Sequence, residues 1–162
     1  MSHIDSAISQ IEALIDRKLD ASDWLTVTQE MIDKFAETTL DNYWIHVDQA
    51  RAKKESQFGG TIAHGLLVLS LISHFREQCF ADFPGGATGM VYGFDNLRFI
   101  SPVPVNSQLR AVFTVKNVLK KSNNEMFTES QFIIEVESND IERNKVPALR
   151  GDLLGYVEFD SE

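Results

Sequence analysis

Cysteine is nearly absent. Cys79 stands alone among 162 residues, which excludes an intrachain disulfide and any cysteine-rich metal site. A domain of this length that folds without a disulfide fits a reducing compartment. Excess positive charge is missing too: 15 Lys and Arg face 24 Asp and Glu, for a formal net charge of -9. A field of that sign repels nucleic acid and anionic membrane surfaces, so neither is expected as a partner. Long apolar runs are also lacking. The strongest, Leu66 to Ile72, is far too short to span a bilayer and runs into His74, Arg76 and Glu77. The opening Met1 to Asp5 has neither the basic start nor the apolar run of a signal peptide. A cytoplasmic location is therefore expected. There is no internal repeat, low-complexity tract or Pro/Gly/Ser linker, so residues 1–162 read as one domain.

What is present divides into two periodicities. Ile4, Ile8, Ile11, Ile15 and Leu19 recur at helical spacing, which predicts an amphipathic helix over roughly 5–19. Trp24 to Val27 has the composition of a short strand. Thr28 is a candidate N-cap for a second helix whose apolar face is Ile32, Phe35 and Ala36. Asp48 could cap a short polar helix carrying Arg51, Lys53 and Lys54. After a break at Phe58-Gly59-Gly60-Thr61, the chain from Ile62 to about Phe80 is apolar nearly all round, and such a helix must be wrapped on most sides. From Thr88 onward the period becomes two. Leu109 to Val115, Phe132 to Val136 and Leu153 to Phe159 each alternate, with turns expected at Ser122-Asn123-Asn124 and Ser138-Asn139-Asp140 and a break at Pro102 and Pro104. Periodicity thus yields an α+β domain, in which an antiparallel sheet and a buried helix must cover one another.

Two short stretches could carry chemistry. Asp41 and His46 lie five residues apart, about 140° apart on an ideal helix and on opposite faces of a strand. They can share a pocket only if the backbone between them turns. If it does, they can hold a water between them and move its proton. Otherwise Asp41 caps a turn and His46 is an ordinary half-buried side chain. The second stretch, Gly59 to Gly65, opens the apolar helix. The unpaired N–H groups there could stabilise charge developing on a carbonyl oxygen, or the glycines could simply make a tight turn. His64 is a candidate lining residue of the same site, or a hydrogen-bonding structural one. Ser73 lacks the neighbours of a nucleophile elbow and is expected to bond the backbone one turn earlier. His64 and His74 are ten apart without a ligand at helical spacing, so no metal site is expected.

Taken together, the two stretches resemble the MaoC-like dehydratases, the family that includes (R)-specific enoyl-CoA hydratases. Asp41, Ile45 and His46 match the family's Asp-x-Asn-Pro-(aliphatic)-His motif, with Tyr43 and Trp44 in the Asn and Pro places. Ile62-Ala63-His64-Gly65 matches the step that opens the family's central helix, and Ser73 sits eight residues beyond, where some members place an active-site serine. Val91 to Phe99, followed by Pro102-Val103-Pro104, is similar to the strand and kink after that helix. The nodulation-protein-N-like branch is the more similar one, and the likeness runs from about Trp24 to Phe159, leaving the first twenty residues as a helical extension. The resemblance implies a hot-dog fold, an antiparallel sheet wrapped around a long central helix. It also implies reversible hydration of a trans-2-enoyl thioester to a 3-hydroxyacyl thioester, of R configuration. Asp41 and His46 would handle water, and the Gly65 N–H would polarise the thioester carbonyl. His64, Tyr43, Trp44 and Ser73 would line the acyl site. No metal or redox cofactor is implied, and the CoA or phosphopantetheine arm belongs to the substrate. A hot-dog thioesterase and a non-catalytic acyl-carrier-binding protein are the alternatives on the same fold.

Two expectations concern partners. A lone hot-dog leaves sheet edges open, so a homodimer is expected. An acidic protein also needs a local positive patch to bind an anionic carrier. Arg51, Lys53 and Lys54 form the densest basic run near the Asp41–His46 stretch, with Arg98, Lys120 and Lys121 as the next candidates.

Overall fold

The computed structural model describes residues 2–82, 86–137 and 146–160. Helices α1 (His3–Glu12), α2 (Gln29–Thr39), α3 (Trp44–Val47), α4 (Gln49–Glu55), α5 (Gly65–Ser70) and α6 (Ile72–Cys79) precede four long strands. These are β2 (Ala87–Phe99), β3 (Gln108–Lys120), β4 (Glu125–Glu137) and β5 (Leu149–Phe159); a two-residue β1 (Leu25–Thr26) sits between α1 and α2. All pairings are antiparallel, in the order β1-β3-β4-β5-β2.

The alternation along β3, β4 and β5 decides which face is covered. Leu109, Ala111, Phe113, Phe132, Ile134, Leu149 and Leu153 are buried together against Leu67, Val68, Ile72 and Phe75 of the helical layer. Phe75, Phe113 and Phe132 are among the largest fully enclosed side chains. Two-residue periodicity thus delivers one apolar sheet face, and α5 and α6 lie across it. The far end of the same face is covered by α1, whose Ile4, Ala7 and Ile11 pack on Val115, Met126, Val157 and Phe159.

Several boundaries differ from the sequence reading. The first helix ends at Glu12, not near residue 19. Asp16 turns at φ 59°, and the chain then runs along β3, with Leu19 N–H bonded to Phe113 O and Ser22 N–H to Ala111 O. Ile15 is left at the surface. The helical spacing of Ile15 and Leu19 was therefore coincidental, and edge pairing with β3 outweighs one more helical turn. The central helix begins at Gly65 rather than Ile62. Ile62 bridges Pro104, and Ala63 N–H bonds Val103 O, so this segment is extended. The helix is also interrupted at Leu71, where Ser70 Oγ donates to Leu67 O and competes with the helical ladder. Nor is it wrapped all round, since Leu66 is 61% exposed. The capping expectations fare better: Thr28 accepts from Met31 N–H, and Asp48 accepts from Arg51 N–H. Of the two expected turns, Ser122 to Asn124 joins β3 to β4, whereas Ser138-Asn139-Asp140 lies outside the described residues.

The two edges of the sheet are unequal. Residues 16–26 shield β3, but among the described residues β2 pairs only with β5 and exposes Met90, Val91, Tyr92 and Phe99. Among the described residues, no helix is long and apolar enough to cross a membrane.

Candidate active site

The chain turns where Asp41 and His46 need it to. Helix α2 ends at Leu40 in the left-handed region, φ 63°, a conformation costing roughly 1 kcal/mol for a residue with a Cβ. Asp41 to Tyr43 then lead into the single-turn α3, which carries His46. Leu40 is 82% exposed, so nothing apolar is gained there in exchange for the strain. The turn instead directs Asp41 back toward His46 and the start of α5. Asp41, His46 and His64 bring their donor atoms within 4.8 Å of one another.

His46 is held at three points. Its Nδ1–H donates to Ile62 O at 2.7 Å, which leaves Nε2 as the basic nitrogen of the neutral ring. Its backbone carbonyl accepts from Gln29 Nε2 at 2.8 Å. Its ring stacks on that of His64, with centroids 3.8 Å apart and planes inclined by 27°. Burial pushes the His46 imidazole below its ordinary value. The Ile62 bond and Asp41 pull it back up, and His64 pushes it further down. His64 is enclosed. Its Nε2–H donates to the Asp41 carbonyl at 2.9 Å, and Nδ1 is buried with no partner among the described residues. The Asp41 carboxylate, 4.0 Å from His64 Nε2, is beyond hydrogen-bond range and faces solvent.

His46 opens onto a cleft of about 300 Å³ lined by Ile62, Ala63, Gly65, Val68 and the Phe99–Val103 segment. Among the described residues no side chain caps α5, and its first residue, the exposed Gly65, lines this cleft, so an uncapped helix start adjoins the space. Gly65 lies close against the Phe99 ring. A Cβ there would lie 2.9 Å from Phe99 Cδ1 and 3.0 Å from Cε1. A half-buried base on the wall of a mostly apolar cleft, with a carboxylate beside it and an uncapped helix start on the same wall, can position a water, accept its proton and stabilise negative charge on a bound carbonyl, although Asp41 itself does not line the cleft. The same carboxylate and imidazoles are also the donor types a divalent ion would use. One nitrogen of each ring donates to a backbone carbonyl, and among the described residues the other is not so engaged.

The structure therefore gathers Asp41, His46, His64 and Gly65, and it leaves other candidates apart. Ser73 lies in a separate groove with Arg76, Met90 and Tyr156, two turns along the helix from Gly65. The bond to the backbone expected of it is made by Ser70 instead. Tyr43 is 59% exposed, its ring 6.4 Å from that of His46. Trp44 packs beneath Arg51, whose guanidinium carbon sits 4.3 Å from the ring centroid. Arg51 also bonds Glu55 and so is not a free cation. Lys53 and Lys54 are exposed on the last turn of α4. Sequence reading missed Gln29, Thr61 and Phe99. Gln29 joins the His46 carbonyl to Thr61 Oγ1, whose hydroxyl donates to it, and so ties α2, α3 and the entrance to α5 together. Only the buried position of Thr61 could have marked it, and burial is not visible in a loop sequence.

Residues 10–137 match the family model described as MaoC like domain. Nodulation protein N of Rhizobium meliloti is 36% identical over 154 residues, covering 95% of this chain and 92% of the relative. The 3-hydroxyacyl-thioester dehydratase Z of Mycobacterium tuberculosis is 35% identical over 133 residues, covering 82% of this chain and 87% of its own. Among solved structures, the (R)-hydratase from A. caviae involved in PHA biosynthesis superposes with a TM-score of 0.65 at 21% identity, covering 90% of this chain and 96% of that one. The match to the Rhizobium protein reaches into the N-terminal segment, further than the motifs alone suggested. With a curled antiparallel sheet backed by a central helix, and relatives matched over most of their length, the chain belongs to the family of MaoC-like domain proteins and has their hot-dog fold.

Proposed function

We propose that this protein catalyses the reversible hydration of a trans-2-enoyl thioester to the (R)-3-hydroxyacyl thioester, with Asp41 and His46 as its acid–base pair. The observation that carries this reading is the meeting of Asp41, His46 and His64 within 4.8 Å, with His46 on the wall of a cleft that Gly65 also lines. Kinship with a 3-hydroxyacyl-thioester dehydratase supplies the reaction class. Asp41 and His46 hold one water. As its oxygen bonds Cβ, His46 Nε2 takes a proton, and the carbon–carbon double bond opens toward the carbonyl. The Gly65 N–H steadies the enolate oxygen, and a proton is returned to Cα. No metal or redox group is proposed, since hydration is redox-neutral overall and general acid–base groups suffice for it; the pantetheine arm is part of the substrate. A cleft of about 300 Å³ suits a short acyl chain.

The carrier's phosphates are assigned to Lys53 and Lys54, which enter no ion pair among the described residues. The active unit is proposed to be a homodimer joined along β2, which accounts for the exposed Met90, Val91 and Tyr92. The reaction is placed in the cytoplasm, consistent with a single, half-buried Cys79. The test is incubation with crotonyl-CoA. Loss of the enoyl absorbance without release of free thiol is expected, and Asp41→Asn or His46→Ala should each slow it by roughly a hundredfold or more. Thiol release with the double bond intact would make the protein a thioesterase. Neither change would leave it a binding protein.

A further inference from the structure

We infer that His64 is a positioning residue for the Asp41–His46 pair: its Nε2–H grips the Asp41 backbone carbonyl while its ring backs the His46 imidazole. The inference rests on the acid–base reading of that pair, but its evidence is separate. His64 is 3% exposed, and the residues on either side of it, Ala63 and Gly65, line the cleft while His64 does not. Its side chain is enclosed, with its ring stacked on that of His46.

Among the described residues the Asp41 carboxylate has no hydrogen-bond partner of its own, and His64 Nε2 lies 4.0 Å from it. Its direction is set by its main chain. That main chain follows a Leu40 forced into the left-handed region at φ 63°, a conformation that needs support from its surroundings. The 2.9 Å bond from His64 to the Asp41 carbonyl supplies the support. The cost is visible on the other nitrogen. With the hydrogen on Nε2, Nδ1 is a buried acceptor without a donor, an arrangement folded proteins keep only where another contact overrides it. On its flanks the ring is packed by His46 at 3.8 Å and by Phe35 at 5.1 Å, which leaves it little freedom to turn over. One enclosed side chain thus sets both the base and the carboxylate.

Two substitutions separate the donor from the ring. His64→Phe keeps an aromatic face behind His46 but has no donor. His64→Gln presents an amide N–H within reach of the same carbonyl without a ring. Steady-state hydration of crotonyl-CoA is expected to show kcat falling about 100-fold in the Phe variant with KM unchanged, the scale of a misplaced catalytic group. The Gln variant should recover kcat to within about tenfold of the parent, since it restores the hydrogen bond. Equal loss in both variants, or a raised KM with kcat intact, would overturn the inference. Because a Phe variant can fail to fold, the unaltered protein labelled with ¹⁵N-histidine provides an independent measurement. NMR should find the His64 hydrogen on Nε2, and a hydrogen on Nδ1 would overturn the inference without any variant. Absence of turnover in the unaltered protein would sink the hydratase reading itself. Turnover insensitive to His64 would sink only the positioning role.

Discussion

Gly65→Ala is the substitution whose outcome the geometry constrains most tightly. Gly65 is the first residue of α5 and has ordinary helical backbone, so alanine meets no conformational barrier there and gains up to about 1 kcal/mol of helix propensity. Against that gain, the new methyl would lie 2.9, 3.0 and 3.5 Å from three atoms of the Phe99 ring. Overpacking of this kind costs roughly 1–3 kcal/mol in a closed core. Phe99, however, is 52% exposed at the end of the edge strand and can swing outward. The two terms nearly cancel, and the net change in stability should stay within about 1 kcal/mol, a shift of only a few degrees in Tm. Activity should not be spared. The methyl and the displaced ring occupy the approach to the Gly65 N–H, and blocking a carbonyl-stabilising donor costs about 10²–10³ in kcat. Thermal unfolding and crotonyl-CoA hydration measured on one preparation separate the two effects. Adding Phe99→Leu should relieve the crowding and restore Tm without restoring kcat. A folded Gly65→Ala protein with parental turnover would refute the assignment of this helix start to the substrate carbonyl.

Other outcomes follow from the same geometry. Burial holds His46 below its ordinary value of 6.5 and the neutral ring is the working form, so kcat/KM should rise with pH through an apparent pKa below 6.5 and level off by neutrality; an acid limb centred above that value contradicts the assignment. Lys53→Glu combined with Lys54→Glu should raise KM for a CoA substrate while kcat holds, and salt should weaken substrate binding by the parent; an unchanged KM returns both residues to the solvent. Ser73→Ala should leave kcat/KM within about twofold, as expected for an exposed residue in a separate groove; a large loss would require the catalytic cleft to extend along α6. Light scattering should give about twice the 18.3 kDa of one chain, and a monomeric mass at micromolar concentration would leave the β2 edge unexplained.

Strand periodicity, helix caps and the joint occurrence of two short motifs were legible in the sequence because each depends on residues near one another in the chain. Leu109, Ala111 and Phe113 alternate whatever lies above them, and Thr28 caps α2 through an atom three residues away. The Asp41–His46 pair was legible as a possibility, since its spacing demanded a turn, but nothing local said that Leu40 would accept a left-handed conformation to make one. Tertiary structure decided the rest. It ended α1 at Glu12, because backbone bonds to β3 compete with one more helical turn. It drew Ile62 and Ala63 out of the helix to pair with Val103 and Pro104, and moved Ser73 away from the site. It also set Gln29 and His64 behind His46, through hydrogen bonds spanning 17 and 23 residues of sequence. Contacts at those separations form only when the sheet has curled and the helices have docked. A local pattern can therefore bring candidate groups into view, while the side chains packed behind them become visible only in the folded chain.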